Sequence, residues 1–104
     1  MILSTTETVP GRTITENLGI ARGNVIRAKH IGTDIVASLR NLVGGEVTEY
    51  TKLMAESREQ AFDRMIRQAQ SMNADAIVGI RFTTSMVMAG AAELLVYGTA
   101  VKLD

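Results

Sequence analysis

Apolar positions along the chain change their spacing several times, and each change predicts an element. Residues 2–5 fit a short strand. Val9-Pro10-Gly11-Arg12 predicts a turn, because Pro fixes φ and Gly reaches positive φ at no steric cost. Ile14, Leu18 and Ile20 then fall on one parity, with Thr13, Thr15 and Asn17 on the other. That is the period of a half-buried strand. Gly19 and Gly23 interrupt it and predict a bulge or bend, with residues 24–29 continuing the strand beyond.

Helical spacing takes over at Ile31. Ile31, Ile35, Val36, Leu39, Leu42 and Val43 predict a first helix, closed by Gly44-Gly45 with a glycine in the left-handed C′ position. A second helix is expected from about residue 49 to 72. Met54, Ala61, Phe62, Met65, Ile66, Ala69 and Met72 form its apolar stripe, and Arg58, Glu59, Asp63, Arg64, Arg67 and Gln70 fall mostly away from it. Asn73 is suited to cap its end. Residues 76–82 are almost continuously apolar and predict a strand covered on both faces. Residues 88–91 predict a turn, and 94–103 the last strand. Leu95, Tyr97, Thr99, Val101 and Leu103 share one face of it, and Leu94, Val96, Gly98 and Ala100 share the other. The order strand, strand, helix, helix, strand, strand predicts one α+β domain over residues 1–104. Its sheet should be small and antiparallel or mixed, with two helices packed on it.

Composition narrows the function classes. A chain of 104 residues makes one domain. Eleven basic residues balance eleven acidic ones without a run of either sign. Nucleic acid is therefore not an expected partner, since phosphate binding needs a local excess of Lys and Arg. The loose group Arg22, Arg27 and Lys29 does not supply one. No segment approaches the roughly 20 apolar residues of a membrane span, and the first residues lack the pattern of a signal peptide. The expected location is cytoplasmic. The absence of Cys removes disulfides, thiolate metal sites and thiol catalysis together.

The same pattern argues for assembly. Two helices can cover one face of a small sheet, and no remaining segment looks long enough to cover the other. Large apolar patches are unusual on soluble monomers, so copies of the chain should meet there in closed symmetry. Val96, Ala100, Met86 and Met88 are the candidate contacts. Met86, Val87 and Met88 beside a turn fit an interface first and an adaptable apolar ligand surface second.

Candidate chemistry is sparse. His30 is the single histidine; it is a metal ligand only if a symmetry axis gathers several copies, and otherwise an ordinary residue at a helix start. Glu46 and Glu49, with Asp34 or Asp75, could hold a hard cation through oxygen, or serve as solvated helix-end charges. Glu56, Glu59 and Asp63 suit a salt-bridged surface better than acid–base catalysis. No nucleophile elbow and no phosphate loop occurs. Tyr50 can stack on a ligand or pin the helices together. Arg81 is the one charge in the buried-looking strand; it either pairs with Asp75 or a neighbouring subunit, or holds an anion in an interface pocket. Arg58 carries the same two readings. No catalytic residue, metal or cofactor is assigned on these residues.

Several local sequences carry a resemblance. They are Gly23-Asn24-Val25-Ile26, Val43-Gly44-Gly45-Glu46, Tyr50, Ser57-Arg58-Glu59-Gln60-Ala61, the run from Asn73 to Arg81, and Tyr97-Gly98-Thr99-Ala100-Val101. In this order they resemble the YbjQ-like family over nearly the whole chain. The resemblance implies a compact subunit grouped with dodecin-like folds, assembled as a ring-shaped homopentamer, under a heavy-metal-binding label. It implies no particular reaction and no catalytic residues. Where the family usually has Gly-Ala-Asp-Ala, this chain has Asn73-Ala74-Asp75-Ala76, and Asn preserves the helix cap. The metal label finds no support in a chain with one His and no Cys. The expected function is thus a non-enzymatic, homo-oligomeric small-ligand-binding or scaffold protein. A metal-binding protein is the first alternative. An enzyme with an interface active site around Arg81, Glu46 and Tyr50 is the second.

Overall fold

The computed structural model describes residues 1–28 and 48–104. The expected first helix and its Gly44-Gly45 closure lie outside the described residues, as do His30, Asp34 and Glu46. The described elements are β1 (Ile2–Leu3), β2 (Ile14–Ala28), α1 (Thr48–Ser71), β3 (Ala76–Met88) and β4 (Ala91–Leu103). They form a mixed four-stranded sheet in the order β1-β3-β4-β2. β1 runs parallel to β3, and the β3–β4 and β4–β2 pairs are antiparallel. Among the described residues one helix packs on this sheet.

The apolar stripe read from the sequence docks α1. Ala61, Met65 and Ala69 are fully buried, and Met54, Phe62, Ile66 and Met72 pack around them. Arg58, Glu59, Asp63, Arg67 and Gln70 stay exposed. The helix ends where Asn73 takes φ 63°, and the Ala74 N–H donates to the Ala69 carbonyl at 3.1 Å. Against α1 the sheet presents Ala21 and Val25 of β2, Ile77 and Ile80 of β3, and Leu94, Val96 and Ala100 of β4. Small residues set the distance between layers. A Cβ on Gly23 would sit 2.1 Å from the Ala61 carbonyl oxygen and 2.5 Å from the Met65 nitrogen. The helix also seals the outer edge of β2. Gln68 Oε1 accepts from the Arg22 N–H at 2.6 Å, and Arg64 Nη1 donates to the Asn24 carbonyl at 2.6 Å.

The opposite face is covered along part of its length, by a segment absent from the sequence expectation. Residues 4–13 fold back on the sheet. The Ser4 N–H donates to the Ile77 carbonyl at 2.9 Å, and the Ile80 and Gly79 N–H groups donate to the Ser4 and Thr6 carbonyls at 3.1 and 2.8 Å. The Pro10-Gly11 turn forms as expected, with Gly11 at φ 78° and the Arg12 N–H donating to the Val9 carbonyl at 3.0 Å. Val9 and Ile14 then close a second cluster with Ala76, Val78, Val101 and Leu103. Arg12 and Thr13 fasten the segment to Asp104.

Several expectations are corrected here. Val96 and Ala100 are not contact residues for another copy; both are fully buried beneath α1. Burial on both faces holds for the start of β3 and the end of β4 but not beyond. β3 runs to Met88 and β4 starts at Ala91, so the hairpin is longer than 76–82 and 94–103 suggest. In its outer half Phe82, Met86, Val87, Met88 and Tyr97 are exposed, Met86 by 79%, while Ala91 and Leu94 stay buried. Ile14, Leu18 and Ile20 share no common face, because β2 shifts register between Ile14 and Glu16 and again between Asn17 and Gly19. Leu18 joins the helix-side core, Ile14 the second cluster, and Ile20 is exposed. The described residues extend over 54 × 24 × 16 Å with a radius of gyration of 17.3 Å, against about 13 Å for a compact chain of this length.

Candidate functional site

Strand periodicity alone would place Arg81 on the same face as Ile77, under the helix. A bulge prevents this. Val78 pairs with Thr99 and Arg81 with Tyr97, so Gly79 and Ile80 together oppose the single residue Gly98. Gly79 meets the bulge geometry with φ 63°, a conformation that costs most side chains one to two kcal/mol, roughly. The extra residue turns Ile80 into the core and Arg81 to the opposite face. Bulges commonly re-aim a side chain in this way beside functional sites.

Arg81 arrives in an open cleft of about 410 Å³ between the sheet and the N-terminal segment. Val78, Gly79 and Arg81 of β3, Thr99 and Val101 of β4, Ile14 and Asn17 of β2, and Glu7 from the covering segment line it. The second irregular strand therefore meets the same cleft. Gly19, at φ 113°, forms the β2 bulge, and its N–H donates to Asn17 Oδ1 at 2.8 Å. Arg81 Nη1 donates to the Thr5 carbonyl at 2.9 Å and to the Ile80 carbonyl at 2.8 Å. Two backbone acceptors thus hold the guanidinium in place.

The expected Arg81–Asp75 pair does not form. Among the described residues the ion pairs are Arg12–Asp104 and Lys102–Asp75, so the predicted salt-bridged surface of Glu56, Glu59 and Asp63 is not found there either. Asp75 instead ties three elements together. Its carboxylate accepts from the Leu103 N–H at 2.9 Å and from Lys102 Nζ at 3.3 Å, and Lys102 also donates to the Asn73 carbonyl at 2.9 Å. Arg58 stands exposed on α1, away from the cleft lining. Tyr50 lies in the first turn of α1, with its side chain outside the described set. Glu46 is also outside it, so the trio Arg81, Glu46 and Tyr50 is not assembled on the described residues. Arg22 and Arg27 project from opposite faces of β2, and Arg27 Nη2 donates to Gln60 Oε1 at 2.5 Å, which splits the loose basic group.

The Leu103 N–H, assisted by the Lys102 ammonium, holds the Asp75 carboxyl below its ordinary value of 3.8, against a smaller opposing push from burial. A carboxylate with a depressed folded pKa stabilises the fold above its unfolded pKa, and that contribution fades as pH falls through the folded value. Asp75→Asn is therefore expected to melt below wild type at about pH 6, with the gap narrowing toward about pH 2. Thermal melts of both proteins across that range check it; a constant gap would remove the carboxylate from the clamp.

Glu7, Asn17 and Thr99 were not candidates in the sequence. Two glycines inside strands and one arginine in an apolar run were the available signals. As for metals, among the described residues no group of three or more His, Cys, Asp or Glu side chains is placed to hold one. With no Cys and one His in the whole chain, the donor set does not fit a heavy-metal ion, which needs several soft ligands. Among the described residues no helix is long and apolar enough to cross a membrane.

Comparison with known proteins places this geometry among relatives. The YbjQ family model, described as "Putative heavy-metal-binding", matches residues 1–104. The chain is similar to UPF0145 proteins from Methanosarcina acetivorans and Archaeoglobus fulgidus. Identities are 59% and 57% over 103 residues, covering 99% of this chain and 97% and 95% of theirs. A UPF0145 protein from Vibrio campbellii is 54% identical, with 99% of both chains covered. Among solved structures, it resembles the crystal structure of a DUF74-family protein of unknown function from Pediococcus pentosaceus. The TM-score is 0.67 at 17% identity, over 100% of this chain and 98% of that one. At that identity the likeness speaks for the fold alone.

Proposed function

This chain belongs to the YbjQ family, and from that premise we propose that it is a non-enzymatic, homo-oligomeric protein that binds a small ligand or serves as a scaffold. The proposal includes the dodecin-like ring of five that the sequence resemblance implies, and a cytoplasmic location. One observation carries it. Among the described residues the outer part of the sheet carries exposed apolar side chains on both faces. Phe82 and Met86 stand on the helix side, and Ile20, Ile26, Tyr97 and, past the second register shift of β3, Met88 on the other. Each fully buried side chain of this kind gains roughly 1.5–3 kcal/mol over an exposed one. A second copy is the partner at hand for such a surface.

Light scattering coupled to size exclusion tests it. The expected mass is about 56 kDa, five times 11.2 kDa. Met86→Asp with Met88→Asp should lower the mass while circular dichroism stays native, since both side chains are exposed in the single chain. A mass of 11.2 kDa at micromolar concentration would overturn the proposal.

A further inference from the structure

The cleft under the N-terminal segment holds two opposite charges that do not neutralise each other. Arg81 and Glu7 both line it, yet neither belongs to an ion pair among the described residues. Arg81 is anchored through Nη1 alone. Its Nε and Nη2 have no acceptor among the described residues, and they form the planar fork that suits a carboxylate. Glu7 accepts no hydrogen bond from the described residues and presents an exposed carboxylate that a cation can meet. Asn17 has its Oδ1 committed to the Gly19 N–H, which leaves its amide NH2 to donate outward. Thr99 adds a hydroxyl that donates or accepts. Beneath these groups Val78 and Val101 are nearly or fully buried and apolar. A volume of about 410 Å³ lies in the range of small-molecule sites.

We propose that this cleft binds a small amino-carboxylate, a ligand with the charge pattern of a free α-amino acid. The carboxylate would lie on Arg81, the ammonium at Glu7, and a short aliphatic part on Val78 and Val101. A simple anion would meet Arg81 together with the field of Glu7, and a simple cation the reverse. A zwitterion satisfies both charges at once. The inference deepens the reading of the protein as a ligand binder by naming the ligand class. It places the site within one chain, so it does not depend on the assembly.

Gly79 supplies a clean probe. A Cβ there meets nothing within 4 Å, and Asn tolerates positive φ better than other side chains. Gly79→Asn should therefore keep the fold and fill the cleft. Ligand-observed NMR titrations would use L-alanine, L-valine and L-threonine, with isovalerate and isobutylamine as single-charge counterparts of valine. Saturable binding of at least one amino acid is expected, about tenfold tighter than either counterpart. Gly79→Asn should abolish it in a protein that still melts cooperatively, a few degrees below wild type at most. Glu7→Gln should weaken the amino acid by about tenfold and strengthen isovalerate, and Arg81→Gln should shift preference toward the amine. Should Arg81→Gln lose its hold on Thr5 and misfold, Glu7→Gln decides alone, because Glu7 has no structural partner among the described residues. Absence of saturable binding by all three amino acids overturns the proposal. So does equal binding of isovalerate and valine, or binding that survives Gly79→Asn. Light scattering on the same samples reads the assembly separately, so either reading can fail while the other stands.

Discussion

Val96→Asp should leave no cooperatively folded protein. Val96 is fully buried, flanked in register by Gly23 on β2 and Phe82 on β3, and capped by the α1 stripe of Ala61, Met65 and Ala69. No donor among these apolar neighbours can satisfy a carboxylate. Ionised, it carries an uncompensated charge; neutral, it still carries an unpaired hydroxyl and carbonyl, at several kcal/mol, roughly. Total stability for a domain of this size is about 5–15 kcal/mol, so the loss is a large fraction of it. Soluble yield and a thermal melt by circular dichroism read the outcome. Met88→Asp, on an exposed arm of β3, is the control and should melt near wild type. A native melt for Val96→Asp would mean that the layer of α1 over β4 is misplaced.

Gly23→Ala is the second large effect, and it adds only a methyl group. That methyl would meet the Ala61 carbonyl oxygen at 2.1 Å, the Met65 nitrogen at 2.5 Å and the Arg64 Cβ at 2.8 Å. Two of these atoms belong to the helix backbone, so no rotamer change relieves the clash. Either α1 lifts from the sheet or β2 bows away. Both open the packing around Met65. Overpacking that forces backbone shifts costs about 3 kcal/mol, which in a chain this long lowers the melting temperature by about 15 °C. The melt is again the measurement. A drop within a couple of degrees would show that the helix does not approach β2 so closely.

The sequence pattern resolved α1 well because its stripe repeats over about five turns, from Met54 to Met72, and ends beside a residue suited to positive φ. It placed the four strands for a similar reason, although it drew the β3–β4 hairpin too short. Faces were harder to read. Alternation assigns faces only while register is kept, and this sheet breaks register on β2 near Gly19 and on β3 at Gly79. Past each break every face assignment inverts, which is why Leu18 turns under α1, away from the face of Ile14, and Arg81 turns toward a cleft. The covering role of residues 4–13 was also hidden. It rests on backbone hydrogen bonds and one buried valine, and neither leaves a periodic signal. Of the site, Arg81 stood out as a charge in an apolar run. Glu7, Asn17 and Thr99 join it only through the fold.

The docking of residues 4–13 also sets an order of events during synthesis. This segment is made well before its partners Ile77, Gly79, Ile80 and Asp104. Contacts so distant in sequence form late, because the long loop between them must close first. The β3–β4 hairpin, whose two strands are neighbours in sequence, can pair as soon as both have emerged. Residues 4–13 therefore wait, undocked, until β3 and β4 have both been made. Whatever occupies the cleft cannot enter before that, so a ligand there would act on the finished fold and not as a template for building it.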